Sequence, residues 1–464
     1  MSANKYDLVV IGSGPGGYVG AIKAAQNGLK VAIVEKRPFL GGTCLNVGCI
    51  PTKALLASAK TFDKLKHADE YGFSTGKVEF DWDKIMNRKS KIVDQQRKGL
   101  QFLMKKNKID THYGHGRFKG KNTVEVTAED GSKTLLESTN IMIATGSDVR
   151  ELPFAPSNGQ NILNSDHILS IDHVPESLAV IGGGVVGTEF ASLFGRMGSK
   201  VTIIEMADQI LPTEDFECVK EVVKMLKKQN VSVEASTKLS GVKDNGDSCI
   251  VSVEGKEDRK FSKVLMSIGR APVTSDLGLE TIGITAERGG YIKVDDNFRT
   301  SVANIFAIGD VIMTPALAHT ASAEALYCAD FISGLNPQAI NYDANPSAIY
   351  SWPEVASIGK NEQTLKAEGV DYKVSKFPFA PMAKAKIEGA DFGFVKLIFD
   401  PKYGEILGAH IIGASATEMI AELSLGKVLE TTIDEIGNTI HPHPTLSETI
   451  MEAAHGAHGK AIHM

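Results

Sequence analysis

Two cysteines five positions apart, Cys44 and Cys49, sit inside the stretch Gly41-Gly42-Thr43-Cys44-Leu45-Asn46-Val47-Gly48-Cys49-Ile50-Pro51-Thr52-Lys53. Such a pair can exchange thiols with a disulfide, bind a metal, or lie buried as two unreactive thiols. In a regular helix five residues rise about 7.5 Å, beyond the roughly 7 Å between Cα atoms that a disulfide tolerates. An undistorted helix therefore cannot bridge them. Gly41, Gly42 and Gly48 permit unusual backbone angles, while Pro51 removes an N–H and pushes Ile50 away from helical geometry. The segment is expected to distort enough to join the sulfurs, and a strained bridge is easily reduced, which makes this a reactive pair rather than a staple.

Thiol exchange also needs a group that takes and returns a proton, and histidine is the usual one near neutral pH. His443, in His441-Pro442-His443-Pro444-Thr445-Leu446-Ser447-Glu448, is the candidate. Glu448 on its other ring nitrogen would fix the tautomer. The structural alternatives are a loop histidine and a capping box between Thr445 and Glu448.

The elements that must position these groups surround two glycine loops. Tyr6–Ile11 reads as a strand, followed by Gly12-Ser13-Gly14-Pro15-Gly16-Gly17, a helix through Gln26, and a strand Val31–Glu35. This is a dinucleotide fingerprint in its required context: Gly12, Gly14 and Gly17 let the backbone approach a pyrophosphate, and Glu35 can bind ribose hydroxyls. The unit returns as Leu178–Ile181, then Gly182, Gly184 and Gly187, a helix, and Val201–Glu205. Gly12 to Glu35 and Gly182 to Glu205 both span 23 positions, with the two loops 170 residues apart. Two dinucleotide sites let one molecule pass electrons to another. The runs Asn140–Gly146 and Lys263–Gly269 would each close a parallel sheet, and Arg299–Asp310 supplies a further strand ending at Asp310. Asp310 could accept from a hydroxyl-rich ligand chain or cap a helix.

Trp82–Lys108 reads as a long amphipathic helix with Ile85, Ile92, Val93, Leu100, Leu103 and Met104 on one face. Its basic residues, Lys84, Arg88, Lys89, Lys91, Arg97, Lys98, Lys105, Lys106 and Lys108, fit a solvated face better than an acidic partner. Residues 110–140 alternate as strands around a Glu129-Asp130-Gly131 turn, and from Asn345 strands such as Phe394–Phe399 and Ile406–Ile412 precede two helical segments, the first over Thr417–Leu429. The expected class is α/β: two Rossmann-like dinucleotide domains (1–148 and 149–270), a central region (271–343) and a C-terminal α+β domain (344–464).

At 464 residues there is room for about three cores. A net charge of -6 gives no footprint for nucleic acid or an anionic membrane, and no apolar run is long enough to span one. A strand starting at Tyr6 leaves no room for a signal peptide, and the scattered Cys218, Cys249 and Cys328 suit a reducing compartment.

The combination of both loops, the cysteine stretch and the His443–Glu448 stretch resembles the flavoprotein disulfide reductase family over essentially the whole chain, and within it the members that oxidise dihydrolipoamide. That resemblance implies FAD at Gly12, Gly14, Gly17 and Glu35, with Thr43 at its pyrophosphate, Asp310 at its ribityl chain, and Gly116, Gly146, Ala316, Leu317, Ala318 and His319 as further contacts. It implies Lys53 near the flavin, paired with Glu189, and NAD at Gly182, Gly184, Gly187, Glu205 and Gly269. The acid Glu205 would repel the 2′-phosphate of NADP. The implied catalytic set is Cys44, Cys49, His443 and Glu448, with the last two reaching the cysteines of the other subunit of a homodimer. The implied partners are lipoyl-bearing proteins of 2-oxo acid dehydrogenase complexes or the glycine cleavage system, in a bacterial cytoplasm or, after processing, a mitochondrial matrix. A glutathione reductase would offer basic residues near Glu205, and a mercuric reductase a cysteine pair at the C-terminus; neither is present. A non-catalytic flavin-bearing subunit need not keep both cysteines with His443 and Glu448. A metal reading of His455, His458 and His463 is disfavoured by the glycine-broken tail.

Overall fold

The computed structural model describes residues 4–463. Met464, the last residue of that tail, lies outside them. The chain forms two compact units, one built from residues up to Leu55, Asp81–Arg150 and Gly269–Ile340, the other from Leu56–Phe80, Glu151–Ile268 and the remainder.

The first unit is organised on a seven-stranded sheet in the order 110–113, 31–35, 4–11, 133–143, 123–127, 115–120, with Ile305–Ala307 also paired to 133–143. Leu8–Ile11 runs parallel to both Val31–Val34 and Asn140–Ile143. The long strand Lys133–Ile143 changes partner along its length: its first half pairs antiparallel with Thr123–Thr127, its last three residues parallel with Ile305–Ala307. Val31–Glu35 is buried throughout, as strands covered on both faces must be. The helix Pro15–Gln26 buries Gly16, Gly17, Gly20, Ala21 and Ala24. These small residues let it settle against the sheet and against the helix Ala318–Ile332; a Cβ built at Gly20 would lie 3.0 Å from Met142 Sδ and 3.5 Å from Ala325 Cβ. Gly131, at φ +80°, closes the expected turn, with Asp130 accepting from Ser132 N at 2.9 Å.

The helix Trp82–Lys106 starts at Asp81, whose side chain accepts from Lys84 N. Its buried face differs from the expectation. Trp82, Val93, Leu100 and Met104 are buried, while Leu103 is exposed. Nor is its basic side uniformly solvated: Arg97 keeps only 22% of its side-chain exposure and Arg88 Nη1 donates to Ala54 O at 3.0 Å.

In the second unit a five-stranded parallel sheet orders 231–234, 200–204, 177–181, 263–266, 162–163, repeating the strand–loop–helix–strand arrangement through the helix Val185–Arg196. A three-stranded antiparallel sheet (239–244, 249–253, 259–261) and a five-stranded one (347–349, 354–359, 406–413, 394–399, 373–378) follow. Three helices close the chain where two were expected: Ala416–Val428, Ile433–Asn438 and Glu448–Gly456. The short middle one is held by a capping box between Thr432 and Glu435.

One face of the C-terminal sheet buries Ala356, Ile358, Phe377, Val395, Leu397, Ala409 and Ile411. A polar row crosses all five strands in register: Ser347, Ser357, His410, Lys396 and Lys376. The acidic run that begins the helix Phe216–Lys227 meets this row. Glu214 accepts from Ser347 at 2.9 Å, Asp215 holds Lys396 Nζ at 3.0 Å, and Glu217 contacts both Lys396 (2.9 Å) and Lys376 (2.7 Å). Glu362 completes the shell of Lys396 at 2.6 Å. A fully buried ammonium requires such company, because removing one partner from a buried ion cluster costs about 3–5 kcal/mol.

His410 lies beside Lys396 in that row and is buried as the neutral ring. Burial pushes its pKa from 6.5 down to about 4, with Lys396 adding to the effect and Asp215, Lys360 O and Glu362 opposing it. Between those values the unfolded chain binds a proton that the folded chain refuses. Stability fully present above pH 6.5 is therefore lost progressively as pH falls towards 4. Denaturant midpoints measured at neutral pH and near pH 4 should show this loss, and His410→Gln should remove most of it. The same acid sensitivity in the variant would place its origin elsewhere.

Candidate active site

The two glycine loops are built alike at their three spaced glycines. A Cβ at Gly12 would collide with Ala144 O, and one at Gly182 with Ser267 O; a Cβ at Gly17 would strike Gly12 O, and one at Gly187 Gly182 O. The outer glycines of each loop thus have reasons inside the protein. The middle ones do not. Gly14 has only Gly42 Cα, at 4.0 Å, near a built Cβ, and Gly184 has nothing within 4 Å, while both have ordinary negative φ. A group that approaches the backbone closely supplies the missing reason. Each loop leads into a helix, Pro15–Gln26 or Val185–Arg196, whose N-terminus no side chain caps, leaving N–H groups for an anion. The residues present therefore fit dinucleotide pyrophosphates.

The acids match too. Glu35 accepts from Ser13 N at 3.0 Å and Arg37 N at 2.8 Å, and Glu205 from Gly183 N at 2.6 Å and Ala207 N at 2.7 Å. Four backbone donors thus fix two carboxylates at strand ends, and each carboxylate retains lone pairs for ribose hydroxyls.

Around the first loop the structure gathers several predicted contacts. Asp310 sits in a 3-10 turn, 309–311, and accepts from Ser147 Oγ, which in turn accepts from Arg270 Nε at 2.7 Å. Gly309 N donates to the buried Glu324 at 2.6 Å. Ala316 and Leu317 lead into the helix that begins at Ala318 and His319, and its first turn packs against Gly16, where a built Cβ would lie 3.3 Å from Ala321 O. Gly146, at φ +70°, has open space around its missing Cβ. Gly116 lies in the strand 115–120 and is explained by packing, since a Cβ there would come 3.1 Å from Val34 Cγ1. Gly269, at φ +108°, also faces open space. Glu189 is buried and accepts from Tyr350 N at 2.9 Å.

The cysteine stretch departs from the expected unwound turn. It forms two helices, Gly42–Val47 and Cys49–Lys66, broken at Gly48 with φ -142° and ψ -114°. Ile50 and Pro51 are helical, because a proline in the first turn gives up only an N–H that has no intrahelical partner. The single break is enough to bring Cys44 and Cys49, both free thiols, close together. Thr43 lies in the first helix and Lys53 in the second. Contact with Cys49, and then burial, push the Cys44 thiol well above its ordinary pKa, against the pull of the Lys53 ammonium. Once one sulfur of the pair is a thiolate, the other stays protonated. The remaining cysteines, Cys218, Cys249 and Cys328, are buried apart from one another, and burial raises all three.

Glu448 serves both readings at once, one oxygen each. Its Oε1 pairs with His443 Nδ1 at 2.9 Å and its Oε2 accepts from Thr445 N at 2.8 Å. Only half of a capping box forms, since Thr445 Oγ1 donates instead to Pro442 O. Against the upward push of desolvation, the Thr445 N–H and His443 hold the Glu448 carboxyl below its usual range. His443 is 72% exposed and offers Nε2 to its surroundings. The tail histidines have separate partners: His455 with Gly437 O, His458 with Asp434, His463 with Glu452. Among the described residues no cluster could hold a metal.

Sequence reasoning missed Ser13, Ser147 and Arg270, whose roles depend on partners 22 to 163 positions away; Ser13 fills a position that the first fingerprint leaves open to any residue, and no local motif marks the other two.

A fold with two such loops, a contacting cysteine pair and a separate C-terminal α+β module defines a class. The chain belongs to the pyridine nucleotide-disulphide oxidoreductases: that family's model matches residues 6–325, and the model of its dimerisation domain residues 345–454. More particularly, it is 44% identical to the dihydrolipoyl dehydrogenase of Bacillus subtilis, covering 99% of this chain and 100% of the relative, and 42% identical to dihydrolipoyl dehydrogenase 2, mitochondrial, of Arabidopsis thaliana, over 99% and 91%. The crystal structure of LpdA from Mycobacterium tuberculosis superposes with a TM-score of 0.91 at 26% identity, covering 98% of this chain and 99% of that one.

Proposed function

We propose that this chain oxidises the dihydrolipoamide of lipoyl-bearing proteins to lipoamide and reduces NAD+, as the dihydrolipoyl dehydrogenases it resembles are named for doing. The observation that carries this reading is the contact between Cys44 and Cys49, which are held as a dithiol ready to close to a disulfide. FAD, bound at the first loop, supplies a two-electron carrier between the pair and NAD+. Gly12, Gly14, Gly17, Glu35, Thr43, Gly146, Asp310 and Ala316–His319 would hold it, and Lys53 would border it. Gly182, Gly184, Gly187, Glu205 and Gly269 hold NAD.

In the oxidised enzyme His443 Nε2 takes a proton from one substrate thiol, while Glu448 supports the cation formed. The resulting thiolate attacks Cys44 Sγ; the Cys44–Cys49 bond breaks and Cys49 leaves as a thiolate. The second substrate sulfur attacks the first, its proton passing to Cys44 as the bond between Cys44 and the substrate breaks, which closes the lipoamide ring and releases Cys44 as a thiol. The substrate has lost two electrons and two protons, and the cysteine pair has gained the electrons.

The dimerisation module supports a homodimer. In the single chain Ile440 is 95% exposed, with Leu425, Val428 and Leu429 also exposed, an apolar group in the same module as His443 that a second copy would cover. We assign His443 and Glu448 to the partner's cysteine pair. No helix among the described residues is long and apolar enough to cross a membrane. Relatives occur in a bacterium and in mitochondria, and a reducing compartment of either kind suits three buried free thiols.

The direct test is purified flavoprotein with dihydrolipoamide and NAD+, read as NADH formation. Faster oxidation of NADPH by glutathione disulfide would overturn the reading. Cofactor choice has its own check. A like charge placed against a phosphate costs several kcal/mol, so Glu205→Ala should lower the kcat/KM preference for NAD over NADP by about tenfold or more. An unchanged preference would mean that another group sets it.

A further inference from the structure

Asn46 stands between the two cysteines, and all of its side-chain polar atoms are engaged. Its amide nitrogen donates to Leu40 O at 3.0 Å and Gly42 O at 2.8 Å, and its oxygen accepts from Arg97 Nε at 2.7 Å. An amide flipped by half a turn would set its NH2 against a guanidinium that can only donate. Arg97 therefore fixes the orientation of Asn46. The guanidinium is itself fixed, with Nη1 donating to Asp94 at 3.1 Å and Cζ 3.8 Å from the centre of the Phe39 ring. The carbonyls that Asn46 grips flank Gly41, in a turn with φ +104° at Gly41 and +58° at Gly42. That turn is pinned to the first glycine loop: Gly41 N donates to Ser13 O at 3.1 Å and Ser13 Oγ at 3.0 Å, and a Cβ at Gly42 would lie 2.5 Å from Gly14 Cα.

We propose that Arg97 is a positioning residue for the cysteine pair: through Asn46 it holds the short helix Gly42–Val47, and with it Cys44, in register with Cys49. The inference rests on the disulfide reductase reading above and adds to it a residue 51 positions from its partner. Its effect is preorganisation. With the strut in place the dithiol is already arranged as the disulfide requires, so closing the bridge sacrifices little freedom.

The test sets the holoenzyme in graded mixtures of reduced and oxidised dithiothreitol, then traps free thiols by alkylation and counts them at Cys44 and Cys49 by mass spectrometry. In this exchange the Cys44–Cys49 bond opens to two thiols while reduced dithiothreitol closes to its cyclic disulfide, a balanced transfer of two electrons and two protons. Three variants separate the donor from the charge. Glutamine carries its amide nitrogen at the chain position of arginine Nε; lysine keeps the charge but has a methylene there; methionine has neither. In Arg97→Met and Arg97→Lys the pair should be half reduced at about one-tenth of the reduced-to-oxidised ratio that the parent needs, the size expected for a lost hydrogen bond to a charged donor. Arg97→Gln should stay near the parent. Overturning results are an unshifted Arg97→Met, or rescue by lysine and not by glutamine, which would make the effect one of charge. A parent pair that never exchanges with dithiothreitol would instead sink the disulfide reductase reading itself.

Discussion

Cys44→Ser should abolish lipoamide turnover, by about 10⁴-fold or more, and leave a yellow protein that still passes electrons from NADH to a dye. A serine hydroxyl cannot form a sulfur–sulfur bond with substrate, nor can it close a disulfide with Cys49. The remaining activity is informative because the glycine loops do not depend on that sulfur. A built Cβ at Gly14 meets only Gly42 Cα, at 4.0 Å, one at Gly184 meets nothing within 4 Å, and Glu35 and Glu205 are held by backbone donors. Both halves are measured on one preparation, as NAD+ reduction with dihydrolipoamide and as dye reduction with NADH. Turnover at the parental rate would remove this pair from the mechanism.

His443→Gln should slow the thiol half-reaction by roughly 10²–10⁴-fold, the range for losing a general base, with dye reduction by NADH nearly untouched. Glutamine is close in size to histidine but cannot take the proton. The geometry lets a structural explanation be told apart, since Glu448 caps Thr445 N with Oε2 and meets His443 with Oε1. Removing the ring leaves the cap in place. The final helix, Glu448–Gly456, should therefore survive, and the thermal midpoint with it. Equal losses in both assays would point to a folding defect.

Much of this was legible because it is local. Repeating loops at equal spacing, strands such as Val31–Glu35 and Phe394–Phe399, and the pairing of His443 with Glu448 each depend on residues within a few turns of one another. A distortion at the glycines of the cysteine stretch is legible in the sequence, and Gly48 supplies it; the part assigned to Pro51 is not borne out. Proline at position 51 falls in a first helical turn, where it does no harm, and Gly48 alone makes the break. Arg97 read as one more solvated base on a helix, because nothing near it in sequence announces Asn46. Leu103 fitted the apolar stripe yet faces outward, since periodicity gives the centre of a buried face better than its edge. The polar row across the C-terminal sheet was invisible for a similar reason: five strands each contribute one residue, and its carboxylates come from 214–217 and 362.

Lys396 has an implication for the order in which the protein is made. Asp215 leaves the ribosome 181 residues ahead of the lysine it will surround. Until then Glu214, Asp215 and Glu217 form a knot of negative charge that water must solvate. The stretch 345–454 contains Lys396 and Glu362 but neither Asp215 nor Glu217. Expressed by itself, that piece would face a buried cation with one counterion, so a boundary drawn by homology is no place to cut the polypeptide.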